Sequence, residues 1–199
     1  MSTRKVISKA EINLLPLGRY EGHIHLVNTQ EDLFNAVREL KKEKLLGFDI
    51  ETRPAYNRGE SYRPSLLQLA GMRAVYLFQL QDLEIPGGID KLLSEPSILK
   101  AGVAIRDDIS GLHELFHFEP NGFIELSSLA GSLGYENMGL RSLTACLLGF
   151  RISKSAQTSN WARRNLTNIQ MRYAATDAWV GRELYKKLDR IRFDLKGEF

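Results

Sequence analysis

The sequence predicts an α/β domain built on a mixed β-sheet, and three observations carry that expectation. Leu45 to Thr52, reading LLGFDIET, alternates like a strand, with Leu46, Phe48 and Ile50 on one face and Gly47, Asp49 and Glu51 on the other. Ser65 to Ala70 and Ala74 to Leu80 are two more strand-like runs joined at Gly71, Met72 and Arg73, the pattern of an antiparallel hairpin. Beyond the hairpin, helical and strand-like stretches alternate. A chain of 199 residues, 43% hydrophobic and 26% charged, is long enough for one substantial core and too apolar for disorder. One domain is expected over 19–199, preceded by a polar leader over 1–18.

The elements follow in chain order. Tyr20 to Val27 alternates like an edge strand and carries His23 and His25, a His-x-His pair that could bind a metal or simply decorate an exposed edge. Thr29 to Asp32 resembles a helix start, and Leu33, Val37 and Leu40 recur at helical spacing before Lys41, Lys42 and Lys44 favour the C-terminal dipole. The loop Arg53 to Pro64 holds Arg53, Arg58, Arg63, Tyr56 and Tyr62 against a lone Glu60, a composition suited to phosphates and a stacked base. A short helix is expected over Ile89 to Leu93, a buried strand over Ile98 to Ile105, and then a helix with Asp107 and Asp108 at its start, one of them as cap. Phe123 to Leu126 reads as a short strand, and Leu140 to Leu148 as a helix stopped by Gly149. Arg151 to Arg172 contains five basic residues, no acid, and Trp161. Thr167 and Gln170 then form a capping box, with Leu166 and Met171 as hydrophobic staple, for a helix expected to reach Ile191 and measure about 35 Å.

Charge and cysteine usage exclude several classes. The formal charge of +3 is compatible with a polyanionic partner without requiring one. A single cysteine, Cys146 in an apolar run, rules out an internal disulfide framework and a cysteine-rich zinc module. Nothing in the chain has the length of apolar run needed for a membrane span, and the N-terminal residues lack a signal-peptide core, so a cytoplasmic location and no membrane partner are expected.

Asp49 and Glu51 share one face of an otherwise apolar strand. Two like charges at that spacing resist joint ionisation unless a cation lies between them, and a divalent metal is the usual solution. On the last helix Tyr173 and Asp177 stand four apart and share a face, among the small neighbours Ala174, Ala175 and Ala178. With the junction aspartates they form a constellation of acids from three separate segments.

The order FDIET, then KAGVAIRDD with Leu112, then YAATDAW resembles the three motifs of the DEDD-superfamily 3′-5′ exonucleases, in the subgroup with tyrosine in the third motif. Similarity to the Werner-syndrome-type exonuclease domain and to ribonuclease D extends from Leu45 to Leu188, including RPSLLQLAG and SNWARRNLTNIQ. The resemblance implies a ribonuclease-H-like fold: a mixed β-sheet with one antiparallel strand, helices on both faces, and acids gathered at one side. It also implies that Asp49, Glu51 and Asp177 hold one divalent ion, and that Asp49 with Asp108 holds a second. Asp108 is chosen over Asp107 because the family's acid precedes a leucine by four residues, here Leu112; Asp107 would then be the cap. Thr52, Leu67, Trp161 and Arg163 match positions that line or lie near the terminal nucleotide.

The implied reaction is hydrolysis of phosphodiester bonds from the 3′ end of DNA or RNA, releasing nucleoside 5′-monophosphates. It needs an activated water, an in-line approach and a stabilised leaving oxygen, which two ions about 3.5–4 Å apart supply. Four carboxylates suit Mg²⁺ or Mn²⁺. Tyr173, whose normal pKa is about 10, is better suited to orienting water than to acting as base. The expected partner is nucleic acid, as a single strand or the 3′ end of a duplex. Two other classes compete. One is a non-catalytic nucleic-acid-binding module on the same fold, which would be expected to have lost an acid. The other is a zinc peptidase using His113-Glu114-x-x-His117, which lacks an evident third ligand and would sit on a short surface helix.

Overall fold

A strand with two useful faces needs helices on both sides, and this chain supplies them. The computed structural model describes residues 5–196. Its sheet contains β1 (His23–Val27), β2 (Leu45–Thr52), β3 (Pro64–Ala70), β4 (Ala74–Gln79), β5 (Leu99–Gly102) and β6 (Phe123–Glu125), in the order β1-β4-β3-β2-β5-β6. β3 runs antiparallel to both its neighbours, and every other pairing is parallel. The expected single antiparallel strand is therefore β3.

On one face of the sheet lie α2 (Gln30–Leu40), α3 (Ile89–Ser94) and α4 (Ile105–His113), packed over Leu46, Phe48, Leu67, Leu69 and Phe78. Full burial of each such side chain contributes about 1.5–3 kcal/mol. On the other face lie α5 (Leu126–Ser132), α6 (Leu140–Leu148) and the long α7 (Asn168–Lys196), which crosses the sheet over Leu66, Ala70, Val75 and Leu77. α7 starts at the expected box: the Thr167 hydroxyl accepts from the Gln170 amide at 3.2 Å and the Gln170 side chain accepts from the Thr167 amide at 3.1 Å. Gly149, at φ 77°, ends α6 as expected.

The approach of α7 to the sheet depends on absent side chains. A Cβ on Gly47 would lie 1.8 Å from the Ala178 carbonyl oxygen, and one on Gly181 would lie 2.8 Å from that of Ala101. Backbone therefore meets backbone where β2 crosses α7, and the adjacent Asp177 comes within 4.8 Å of the β2 acids.

Three expectations change. The strand expected to run to Ile105 stops at Gly102, because Ala104 takes a left-handed turn at φ 61° and α4 begins immediately after it. Asp107 does not cap α4; the cap comes from β6, where Glu125 accepts from the Ala104 and Ile105 amides at 3.1 and 2.9 Å. The 1–18 stretch is not merely a polar leader in its described part. It folds into α1 (Lys9–Leu14), with Ile7 and Ile12 buried beside Ala145.

Candidate active site

β2 brings Asp49 and Glu51 to the α7 side of the sheet, and Gly47 lets α7 close onto them. One ligand atom from each of Asp49, Glu51 and Asp177 falls within 4.8 Å of the others. They line a cavity of about 440 Å³ with Tyr173, Gly102, Val103 and the first turn of α6. Asp177 is buried, Asp49 and Glu51 are partly so, and Ala174, Ala175 and Ala178 pack α7 down on either side.

Charge crowding in this site is severe. Burial raises the Asp49 carboxyl well above the usual carboxylate range, and the charges of Asp177, Glu51 and Asp108 raise it further. Glu51 is pushed up to about 9, by burial and then by Asp177 and Asp108. Asp177 rises to about 7 through burial, against the lowering effect of its hydrogen bond from Tyr173. Tyr173 itself is pushed far above its ordinary value, by burial and then by Asp177 and Glu51, so it keeps its proton. The acids sense Asp108, which lies outside the trio and rises to about 7 through burial, Asp107 and Glu125. Asp108 is partly buried, whereas Asp107 is exposed.

A divalent cation fits this donor set. Asp177 Oδ1 is fully buried yet has no hydrogen-bond partner, an arrangement that costs about 1–3 kcal/mol or more unless something else satisfies the oxygen. Hard carboxylate oxygens from two rigid elements suit Mg²⁺ or Mn²⁺ coordination and relieve the mutual repulsion.

The other expected residues are placed less uniformly. Thr52 is partly exposed just past a register shift in β2, and Arg163 is exposed. Leu67 is fully buried opposite Ile50 on the face away from the acids, and Trp161, 1% exposed, packs among the α7 alanines. The basic segment is also partly structural: Arg172 donates to the Tyr20 carbonyl at 2.7 Å and Arg151 to the Leu15 carbonyl at 3.1 Å.

The histidine patterns do not make metal sites. α4 ends at His113, so His113 and His117 do not share one helix face, and His117 contacts Glu119 at 3.4 Å instead. His25 stacks on Tyr76 at the sheet edge. Among the described residues, Asp49, Glu51 and Asp177 form the group able to hold a metal. Sequence reasoning missed Glu125, whose carboxylate also accepts from the Ser127 amide at 3.1 Å. An acid two residues before a serine at a strand end was the available cue, but its second role depends on β6 lying beside β5.

A mixed sheet with one reversed strand, and a carboxylate trio between that sheet and a crossing helix, define a nuclease-like class of fold and site. Residues 24–191 match the model of the 3′-5′ exonuclease family, and the chain belongs to that family. Among relatives, the bifunctional 3′-5′ exonuclease/ATP-dependent helicase WRN of Mus musculus is 35% identical over 153 residues, covering 74% of this chain and 11% of that protein. Ribonuclease D of Gluconacetobacter diazotrophicus is 31% identical over 170 residues, covering 82% of this chain and 42% of its own. The chain thus spans less than half the length of these curated relatives. Among solved structures, the Nibbler EXO domain of Aedes aegypti superposes with a TM-score of 0.78 at 25% identity, covering 88% of this chain and 91% of that one. Ribonuclease D of Trypanosoma brucei, solved in complex with RNA U12, shares the fold with a TM-score of 0.76 at 23% identity, covering 84% of this chain and 63% of that one. Among the described residues no helix is long and apolar enough to cross a membrane.

Proposed function

We propose that this chain is a metal-dependent exonuclease that removes nucleotides from the 3′ end of DNA or RNA, releasing nucleoside 5′-monophosphates. The observation that carries the reading is the convergence of Asp49, Glu51 and Asp177 around a buried carboxylate oxygen with no partner. In this reading Asp49, Glu51 and Asp177 hold one Mg²⁺ or Mn²⁺, and Asp49 with Asp108 holds a second. When bound, such ions stabilise developing charge on the phosphate and lower the pKa of water.

The protein's own groups do the rest. Tyr173 stays protonated, so its hydroxyl donates to Asp177 and orients water instead of taking a proton. The cavity walls from β5 and α6 flank the space where the terminal phosphodiester would lie over the acids. Thr52 and Arg163 remain candidates for direct substrate contact, whereas Leu67 and Trp161 act by packing the strand and helix that carry the acids. The RNA-bound relative supports a polynucleotide ligand, single-stranded or the 3′ end of a duplex.

The test is a time course on 5′-labelled DNA and RNA strands with Mg²⁺ or Mn²⁺, with and without EDTA. A descending ladder abolished by EDTA is expected, and strands left intact under both metals would overturn the proposal. On the same gel Tyr173→Phe, which keeps the ring and every carboxylate, should slow shortening by about 10²–10⁴.

A further inference from the structure

The cavity above the acids has a wall that lies outside the family match. Residues 5–19 precede the matched span, which begins at residue 24. Yet Lys9 and Ile12 line the acid cavity, and Leu17, Gly18 and Arg19 line a second cavity of about 210 Å³ that shares Tyr173 and Asp177 with it. The same short segment therefore borders both spaces flanking the Tyr173 and Asp177 pair.

This wall is fixed in place by more than proximity. Ser8 and Glu11 form a capping box at the start of α1, with the Ser8 amide donating to Glu11 at 2.9 Å. Ile7 and Ile12 are buried against Ala145 on α6. Asn13 Oδ1 accepts from Arg141 at 2.6 Å. The Gly18 amide donates to the Arg151 carbonyl and the Arg151 amide to the Pro16 carbonyl, each at 2.9 Å. Deleting such a segment would expose apolar surface, so its contribution is best read from the charge it carries.

Lys9, Arg141 and Lys154 line the same cavity as Asp49, Glu51 and Asp177. Cations that share a cavity with a carboxylate cluster would be expected to pair with it. Among the described residues none of the three does so, and Arg141 Nε is buried without a partner. Three separate elements (α1, the start of α6 and the stretch after β-bridge residue Arg151) thus bring to one space positive charge that no carboxylate neutralises, with Arg141 held there by its bond to Asn13. Lys9 and Lys154 are exposed, which suits a polyanion passing over the cavity better than a small anion enclosed within it.

We propose that residues 5–18 form a nucleic-acid-binding wall of this cleft, in which Lys9, together with Arg141 and Lys154, holds backbone phosphates of the strand. The proposal deepens the exonuclease reading and rests on it for the identity of the ligand. Its test separates binding from turnover. Affinity of the full chain for a 5′-fluorescein single-stranded oligonucleotide is measured by anisotropy in EDTA between about 50 and 200 mM salt. Lys9→Ala should weaken binding about 3–10-fold at the upper salt and reduce the log–log salt slope by about 0.7, the signature of one lost phosphate contact on a single strand. Lys9→Arg should restore both, and the distant Lys91→Ala on α3 should match wild type. With Mg²⁺ added, the Lys9→Ala loss should appear in KM. Unchanged affinity and slope in Lys9→Ala would overturn the wall, as would an effect confined to inhibition by a free nucleoside monophosphate. A wild-type protein that binds through Lys9 but does not shorten the strand would instead overturn the exonuclease reading and leave the wall standing.

Discussion

The two faces of β2 carry opposite burdens, although they alternate along the same eight residues. Toward α2, α3 and α4, Leu46 and Phe48 are fully enclosed and Ile50 packs against them. Toward α7, Gly47, Asp49 and Glu51 leave room for a helix and then fill the space with charge. One face stabilises the domain, while the other is tolerated because that stability is available. Repulsion among the acids is a cost that the folded protein accepts until a cation arrives.

Exchanging the two faces one side chain at a time tests this division. Asp49→Asn should have the largest effect on activity, lowering turnover about 10⁴-fold or more if the acids act as a unit. Thermal stability of that variant without metal should equal or exceed wild type, because a buried carboxyl that folding forces to hold a proton is gone. Phe48→Ala, its immediate neighbour, should show the reverse pattern. It should cost about 3–5 kcal/mol in denaturant unfolding while the folded fraction still turns over substrate. A dead but fully stable Phe48→Ala would break the comparison.

Gly47→Ala sharpens it, since this residue lies on the acid-bearing face yet carries no charge. Its Cβ would collide with the Ala178 carbonyl, so a loss of about 1–3 kcal/mol is expected from overpacking, along with reduced turnover as Asp177 moves away from Asp49. Wild-type activity in this variant would show that the close approach of α7 is not needed to assemble the trio. The smallest effect is expected at Asp107→Ala. Exposed, and replaced as helix cap by Glu125, it should change stability by less than about 0.5 kcal/mol and leave strand shortening intact, whereas Asp108→Ala should abolish shortening.

Much of this division could be read before the fold was known, because it is local. Alternation in LLGFDIET separates the faces of β2, and the Thr167 and Gln170 box starts α7 where it was expected. What the sequence did not show depends on neighbours distant in the chain. The left-handed turn at Ala104 is stabilised by Glu125, 21 residues away, so nothing near KAGVAIRDD announces it. Trp161 sits among arginines in sequence but is enclosed by alanines of α7 in space, and a basic-aromatic pattern cannot distinguish the two settings. Leu67 shows its apolar character but not which face of the sheet receives it. Residues 1–18 read as a polar leader because Ile7 and Ile12 are too few to form an apolar stripe until α6 provides their partner.

On this reading the α7 face of β2 holds protons in place of a metal until a divalent ion displaces them. Carboxyls raised from about 4 to about 7 in Asp177, and to about 9 in Glu51, bind more protons folded than unfolded across that window. The metal-free protein should therefore lose stability as pH rises from about 4.5 to 9. Calorimetric titration of Mn²⁺ into wild type at pH 7, repeated in buffers of different ionisation enthalpy, counts the protons that the metal displaces. Saturable binding with net proton release, tightening as pH rises, is expected, and both should be lost in Asp177→Asn. Binding that releases no protons, or that Asp177→Asn retains at wild-type strength, would contradict it.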